Sequence, residues 1–224
     1  LEKVDYLEAI PADSFIFAQV KDVNASIENA RKSIAGQLAL SPPFQPLRDL
    51  LDKALRKDAQ AWDRLQRWMP RFKGQFAFAL WKLEVQDPTK IRLAVIAEIT
   101  DPAPKTVFDE LLKEARIVPQ AALNDSHKEV EIVAGGPTGP CLALVNRHLI
   151  FSANADSIKA VIDGMLAPGG LAASPAFQKL KPALGPKPEL LFGMDFQIYM
   201  REVIKMMGAL GAAGAQQVEA FKTV

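Results

Sequence analysis

Hydrophobic spacing divides the chain into strand-like and helix-like stretches separated by proline, glycine and aspartate. Pro11-Ala12-Asp13-Ser14 is turn chemistry, and the apolar, partly β-branched run at 15–20 predicts a strand. Asp22 suits a helix N-cap, and Val23, Ile27, Ala30, Ile34 and Leu38 follow at helical spacing. Ser41-Pro42-Pro43 stops that helix and starts another, because proline fits the first helical turn. Phe44, Leu47, Leu51, Leu55, Trp62, Leu65 and Met69 then form one stripe that ends at Pro70.

Past Gly74 the period changes. Residues 76–83 are apolar on both faces, as in a covered central strand, and 91–99 alternate between apolar and charged positions. Asp101-Pro102 leads into a helix with Val107, Phe108, Leu111, Leu112 and Ala115 inward. A strand over 130–134, a glycine- and proline-rich loop at 135–140, and a hairpin turning at Asn146-Arg147 come next. A helix carries Ile158, Val161, Ile162, Met165 and Leu166, and Pro168-Gly169-Gly170 closes it. A short helix begins at Ser174-Pro175, a strand spans 189–195 and a helix 198–207. Short links pair neighbouring strands antiparallel. The fold expected is α+β: an antiparallel sheet with helices packed mainly on one face. The strands at 16–18 and 191–193 each follow a proline-containing turn and lead into a helix. This predicts an internal repeat, with 1–185 one α+β unit and 186–224 the truncated start of a second.

Composition narrows the function classes. The 224 residues are 49% hydrophobic and 24% charged, which excludes a disordered chain. The net charge of +1 provides no global field to hold nucleic acid. No stretch reaches the roughly 18 apolar residues of a membrane helix. One cysteine, Cys141, and two histidines, His127 and His148, provide neither a disulfide framework nor a ligand set at metal spacing, so no metal or cofactor is expected.

Charge concentrates in one place. Residues 48–73 hold eight basic residues against four acidic ones. Arg56, Arg64, Arg67 and Arg71 fall roughly on one helical face with Trp68 beside them, a surface suited to anionic head groups, polysaccharide or an acidic partner. Other candidates have plainer readings. Asp125-Ser126-His127 reads as a polar loop, since triad members converge in space rather than in sequence. His148 reads as an exposed turn histidine and Cys141 as a small buried residue. Glu129 and Glu131 read as the solvent face of a strand. The 135–140 loop, with two prolines removing donors, reads as a strand connection rather than a phosphate cradle.

Three segments carry a resemblance. Leu7-Glu8-Ala9-Ile10-Pro11-Ala12-Asp13-Ser14, Ala172-Ala173-Ser174-Pro175-Ala176-Phe177 and the strand Leu190-Leu191-Phe192-Gly193-Met194-Asp195 resemble a bacterial exported family of unknown function. Ile10 and Ser14 stand where that family usually has leucine and threonine. The resemblance implies an exported, periplasmic or envelope-associated protein built from repeated α+β units, and no catalytic residues. A chain opening on Leu1 fits a processed protein or an excised fragment, and a tail without a glycine or proline stop leads us to expect that the chain continues.

Three functions stay open on the sequence. One is a non-catalytic cell-envelope binding or scaffold module whose partner is a protein or envelope component. Another is a carrier of a lipid or other hydrophobic ligand, motivated by the doubly apolar strand at 76–83 with Trp81 near its end. The third is an enzyme whose site is assembled from scattered residues.

Overall fold

A computed structural model describes residues 4–33, 67–84, 90–115, 125–136, 139–167, 169–184 and 189–209, with Gln37, Ser41, Pro42, Gln45, Asp63, Asp87 and Ile117 besides. Most of the predicted helix over 44–69, with Arg56 and Arg64, lies outside the described residues, as does most of the 34–38 extension of the preceding helix.

Eight antiparallel strands form one sheet, consistent with the α+β reading. They are β1 (Ile16–Val20), β2 (Phe76–Lys82), β3 (Arg92–Glu98), β4 (Asp125–His127), β5 (Val130–Ala134), β6 (Cys141–Val145), β7 (His148–Ser152) and β8 (Leu190–Met194). The helices described are α1 (Tyr6–Ala9), α2 (Val23–Lys32), α3 (Pro104–Glu114), α4 (Ala155–Leu166), α5 (Gly170–Ala173), α6 (Pro175–Leu180) and α7 (Phe196–Ala209). The strand order is β4-β5-β6-β7-β3-β2-β1-β8. Tight hairpins explain β4-β5 and β6-β7, where Lys128, Glu129 and Asn146 take the positive φ values such turns require. The β3–β7 and β1–β8 pairings close long loops.

Strand alternation sorts side chains onto two faces. On one, Phe17, Ala77, Ala79, Ile96, Ile132, Ala143 and Ile150 are buried beneath α1, α4, α5 and α6, which supply Tyr6, Ile158, Val161, Ile162, Leu171 and Phe177. On the other face, α3 is the described helix that packs, at one end. There α3 places Val107, Phe108 and Leu112 over Ile99, Val133, Leu142 and Leu149. Leu111 is half-buried, while Ala115 and Leu166, expected inward, are exposed. Each sits at the C-terminal end of its helix.

Two elements escape the periodicity. Residues 125–127 are a strand, not the expected loop, because β5 next door offers an edge to pair with. The four-residue α1 is shorter than one helical repeat can register. It is fixed by Asp5, whose carboxylate caps it through Leu7 N at 3.1 Å and accepts a bond from Gln19 Nε2 of β1 at 2.9 Å.

Candidate functional site

Beyond α3, no described helix packs on the second face, and its side chains are apolar and run from buried to exposed. Register places Leu190, Val20, Phe76, Ala97 and Leu149 in one cross-strand row, and Phe192, Ala18, Phe78, Val95 and Phe151 in the next. Met194, Ile16, Leu80 and Leu93 make a third. Strand β2 is therefore central, as the sequence predicts, and its two faces differ: Ala77 and Ala79 are buried while Phe76, Phe78 and Leu80 are half-buried.

Where this surface meets α3 it deepens into a groove of about 650 Å³. Val20, Phe76 and Leu149 form its floor, with Leu111 of α3 on one wall and Trp68 and Phe72 on the other. Every described residue lining it is apolar. Its size lies within the range of small-molecule sites. Among the described residues it has no converging polar groups of the kind that orient a polar ligand, and that lining suits an apolar body.

The described part of the basic patch borders this groove and is internally neutralised. Trp68 Nε1 donates to Glu114 Oε2 at 3.0 Å, and Arg67 Nη1 lies 3.5 Å from the same oxygen. Arg71 pairs with Glu110, and its guanidinium lies 5.0 Å from the Trp68 ring centroid. Two acidic residues of α3, one helical turn apart, thus meet two of the arginines that sequence places on one face.

The three segments that carry the family resemblance converge on one pocket of about 510 Å³. The Pro11–Ser14 turn supplies Asp13 and Ser14, the α6 segment supplies Ser174 and Phe177, and β8 supplies Gly193 and Asp195. Ser14, Ser174 and Asp195 each have a local task. Ser14 Oγ donates to Pro11 O at 2.7 Å, Ser174 Oγ accepts from Phe177 N at 3.2 Å, and Asp195 accepts from Ile198 N at 3.0 Å at the start of α7. The floor is the edge-to-face pair Phe17–Phe177, ring centroids 6.1 Å apart. Glycine is required at 193, since a Cβ there would overlap the Phe17 ring. Sequence spacing gave no sign that these separate turns and caps meet.

His148 corrects the sequence reading. It is 1% exposed, and its Nδ1 shares a hydrogen bond of 2.8 Å with Tyr6 Oη. The residue follows the turn but belongs to β7, and alternation points it inward beneath α1. Burial, reinforced by the charge of Glu98, holds the Tyr6 phenol well above its ordinary range, so it stays protonated.

Asp125-Ser126-His127 does not assemble a triad. His127 Nε2 lies 2.7 Å from Asp163 Oδ1 of α4, Lys128 Nζ is 2.8 Å from the same oxygen, and Asp125 pairs with Lys159 at 2.5 Å. Cys141 is buried, and that burial pushes its thiol up, away from nucleophilic character. Glu131 lies exposed in β5 and Glu129 exposed in the β4-β5 turn. Among the described residues, no group of three or more His, Cys, Asp or Glu side chains could hold a metal ion, and no helix is long and apolar enough to cross a membrane.

Fold and site together define an α+β protein with one antiparallel sheet, helices mainly on one face, and an apolar groove beside α3 on the other. No protein-family model, curated protein or solved structure matches the chain.

Proposed function

We propose that the chain is a non-catalytic binding or scaffold module of the bacterial cell envelope, exported or periplasmic, whose working surface is the partly uncovered apolar sheet face. The observation that carries the reading is the groove at Val20, Phe76, Leu111 and Leu149, an apolar concavity floored by rigid sheet. Exposed contiguous apolar surface is costly in water and marks sites where something binds. The envelope location rests on the resemblance, whose three segments meet at one pocket. The repeat belongs to the same reading: β1 and β8 are neighbours, each followed by a helix whose N-cap is an aspartate, Asp22 or Asp195.

A second reading, a carrier of a lipid or other hydrophobic ligand, is favoured by the groove's size and its all-apolar lining. Native mass spectrometry of the purified protein and titration with dansyl-undecanoic acid test it. Saturable uptake, weakened about tenfold or more by Val20→Arg in a folded protein, supports a ligand-binding groove. No uptake and no co-purified ligand would sink the carrier. Turnover of any substrate in a broad hydrolase panel, lost on substitution at Asp13 or Asp195, would overturn the non-catalytic reading.

A further inference from the structure

The two edges of the sheet are built differently. Strand β4 is three residues long, polar, and tied to α4 through Asp163 and Lys159. Short polar edges of this kind resist strand addition. Strand β8, at the opposite edge, reads Leu190-Leu191-Phe192-Gly193-Met194, with no charge and no proline. Among the described residues it pairs with β1 alone.

Hydrogen-bond phase fixes what β8 presents. Lys21 N donates to Glu189 O, and Asp195 N donates to Phe15 O. Bonded and non-bonded pairs alternate along an antiparallel ladder. The backbone groups of Leu191 and Gly193 therefore face β1, and those of Leu190, Phe192 and Met194 point outward. Side chains of these same three residues stand on the open face, 64%, 65% and 41% exposed. Among the described residues, an unpaired backbone edge and an exposed apolar row thus coincide.

We propose that the outer edge of β8 is a strand-addition site for an extended apolar segment of another protein that carries lysine or arginine at its ends. Charge selects this occupant over a second copy. Two β8 strands paired antiparallel about Phe192 would set Leu190 against Met194, but also Glu189 against Asp195 at both ends. Like charges directly opposite are destabilising. On its inner side the backbone N–H of Lys21, just past β1, donates to Glu189 O, and the Glu189 carboxylate accepts from Asn29 Nδ2 at 2.7 Å. A basic-ended strand would set opposite charge against Glu189 and Asp195, gaining main-chain bonds for affinity and alternate side-chain contacts for selectivity. The inference deepens the binding reading and rests on it for the existence of a partner, but it uses a different surface from the groove.

The test is fluorescence anisotropy of the whole chain with a labelled peptide of alternating valine and threonine between lysine pairs. The same peptide with glutamate ends is the control, and amide hydrogen exchange locates the contact. The expected result is saturable binding, about tenfold or more in favour of the lysine peptide, with new protection at the amides of Leu190, Phe192 and Met194. Phe192→Pro removes an outward N–H and abolishes binding. Glu189→Gln, which keeps the edge, narrows the preference between the peptides. Equal binding of both peptides, protection elsewhere, no binding, or persistence in a folded Phe192→Pro protein overturns the proposal. So does a peptide-free dimer that Phe192→Pro dissolves, which would make the occupant a second copy. Dansyl-undecanoic acid uptake measured on the same sample reports the groove separately, so failure at the edge and failure of the groove are told apart.

Discussion

Tyr6 Oη and His148 Nδ1 lie 2.8 Å apart across 142 positions of sequence, in a pair of residues that water barely reaches. Their rings meet edge to face, centroids 5.5 Å apart. This contact and the Asp5–Gln19 bond fasten α1 to two strands, and a helix of four residues has no stability of its own. Tyr6→Phe keeps the ring and removes the oxygen. The expected cost is about 1–3 kcal/mol, the usual penalty for depriving a buried polar group of its partner. Chemical denaturation reads it directly; an unchanged midpoint would show that the bond contributes nothing.

Helix α4 approaches α1 most closely at Gly164, where a Cβ would overlap the backbone of Ala9. Backbone cannot step aside as a side-chain tip can. Gly164→Ala should therefore cost stability despite alanine's better helix propensity, by about 1–3 kcal/mol as in other overpacked sites. A rise in melting temperature would refute the close packing of these two helices.

Acid should loosen the β4–α4 contact. Hydrogen bonds from Lys128 first, then His127, hold the Asp163 carboxyl below its usual range, and Lys159 does the same for Asp125. A depressed folded-state pKa contributes stability above the unfolded value, about 3.9, and loses it as pH falls through the folded value. Both groups are half in water, so the contribution is small, about 0.5 kcal/mol each. Asp163→Asn should lower stability slightly at neutral pH and flatten the loss below about pH 4. Urea midpoints across that range check the slope, and parallel wild-type and variant curves would contradict it.

The pairing of Arg67 and Arg71 with α3 predicts how the basic patch behaves. Glu110→Gln with Glu114→Gln frees both guanidiniums. Sedimentation with anionic vesicles at low salt should then show binding about thirtyfold stronger than wild type, at roughly 1 kcal/mol for each of the two freed basic groups. Strong binding by the wild type, unchanged in the double variant, would mean that these carboxylates do not mask the patch.

Local chemistry made much of this legible. Turn residues and alternation located β5, β6, β7 and the Asn146 hairpin, and the caps Asp22 and Ser174 marked helix starts where the structure has them. The site was less legible. Arg67, Trp68 and Arg71 pair with acidic residues of α3 that lie 39 to 47 positions away in sequence. His148 was misread because a turn neighbour can lie on either face of the strand it begins.

Residue order along the chain settled which segments are strands or helices and which side of each is apolar, because that information lies in spacing of two or of 3.6 residues. Only tertiary structure decided that β7 lies beside β3, that β8 closes one edge, and that the faces of Phe76, Phe78 and Leu80 stay half-uncovered. Spacing records that a side chain avoids water; what shelters it depends on loop closures and packing that bring distant positions together.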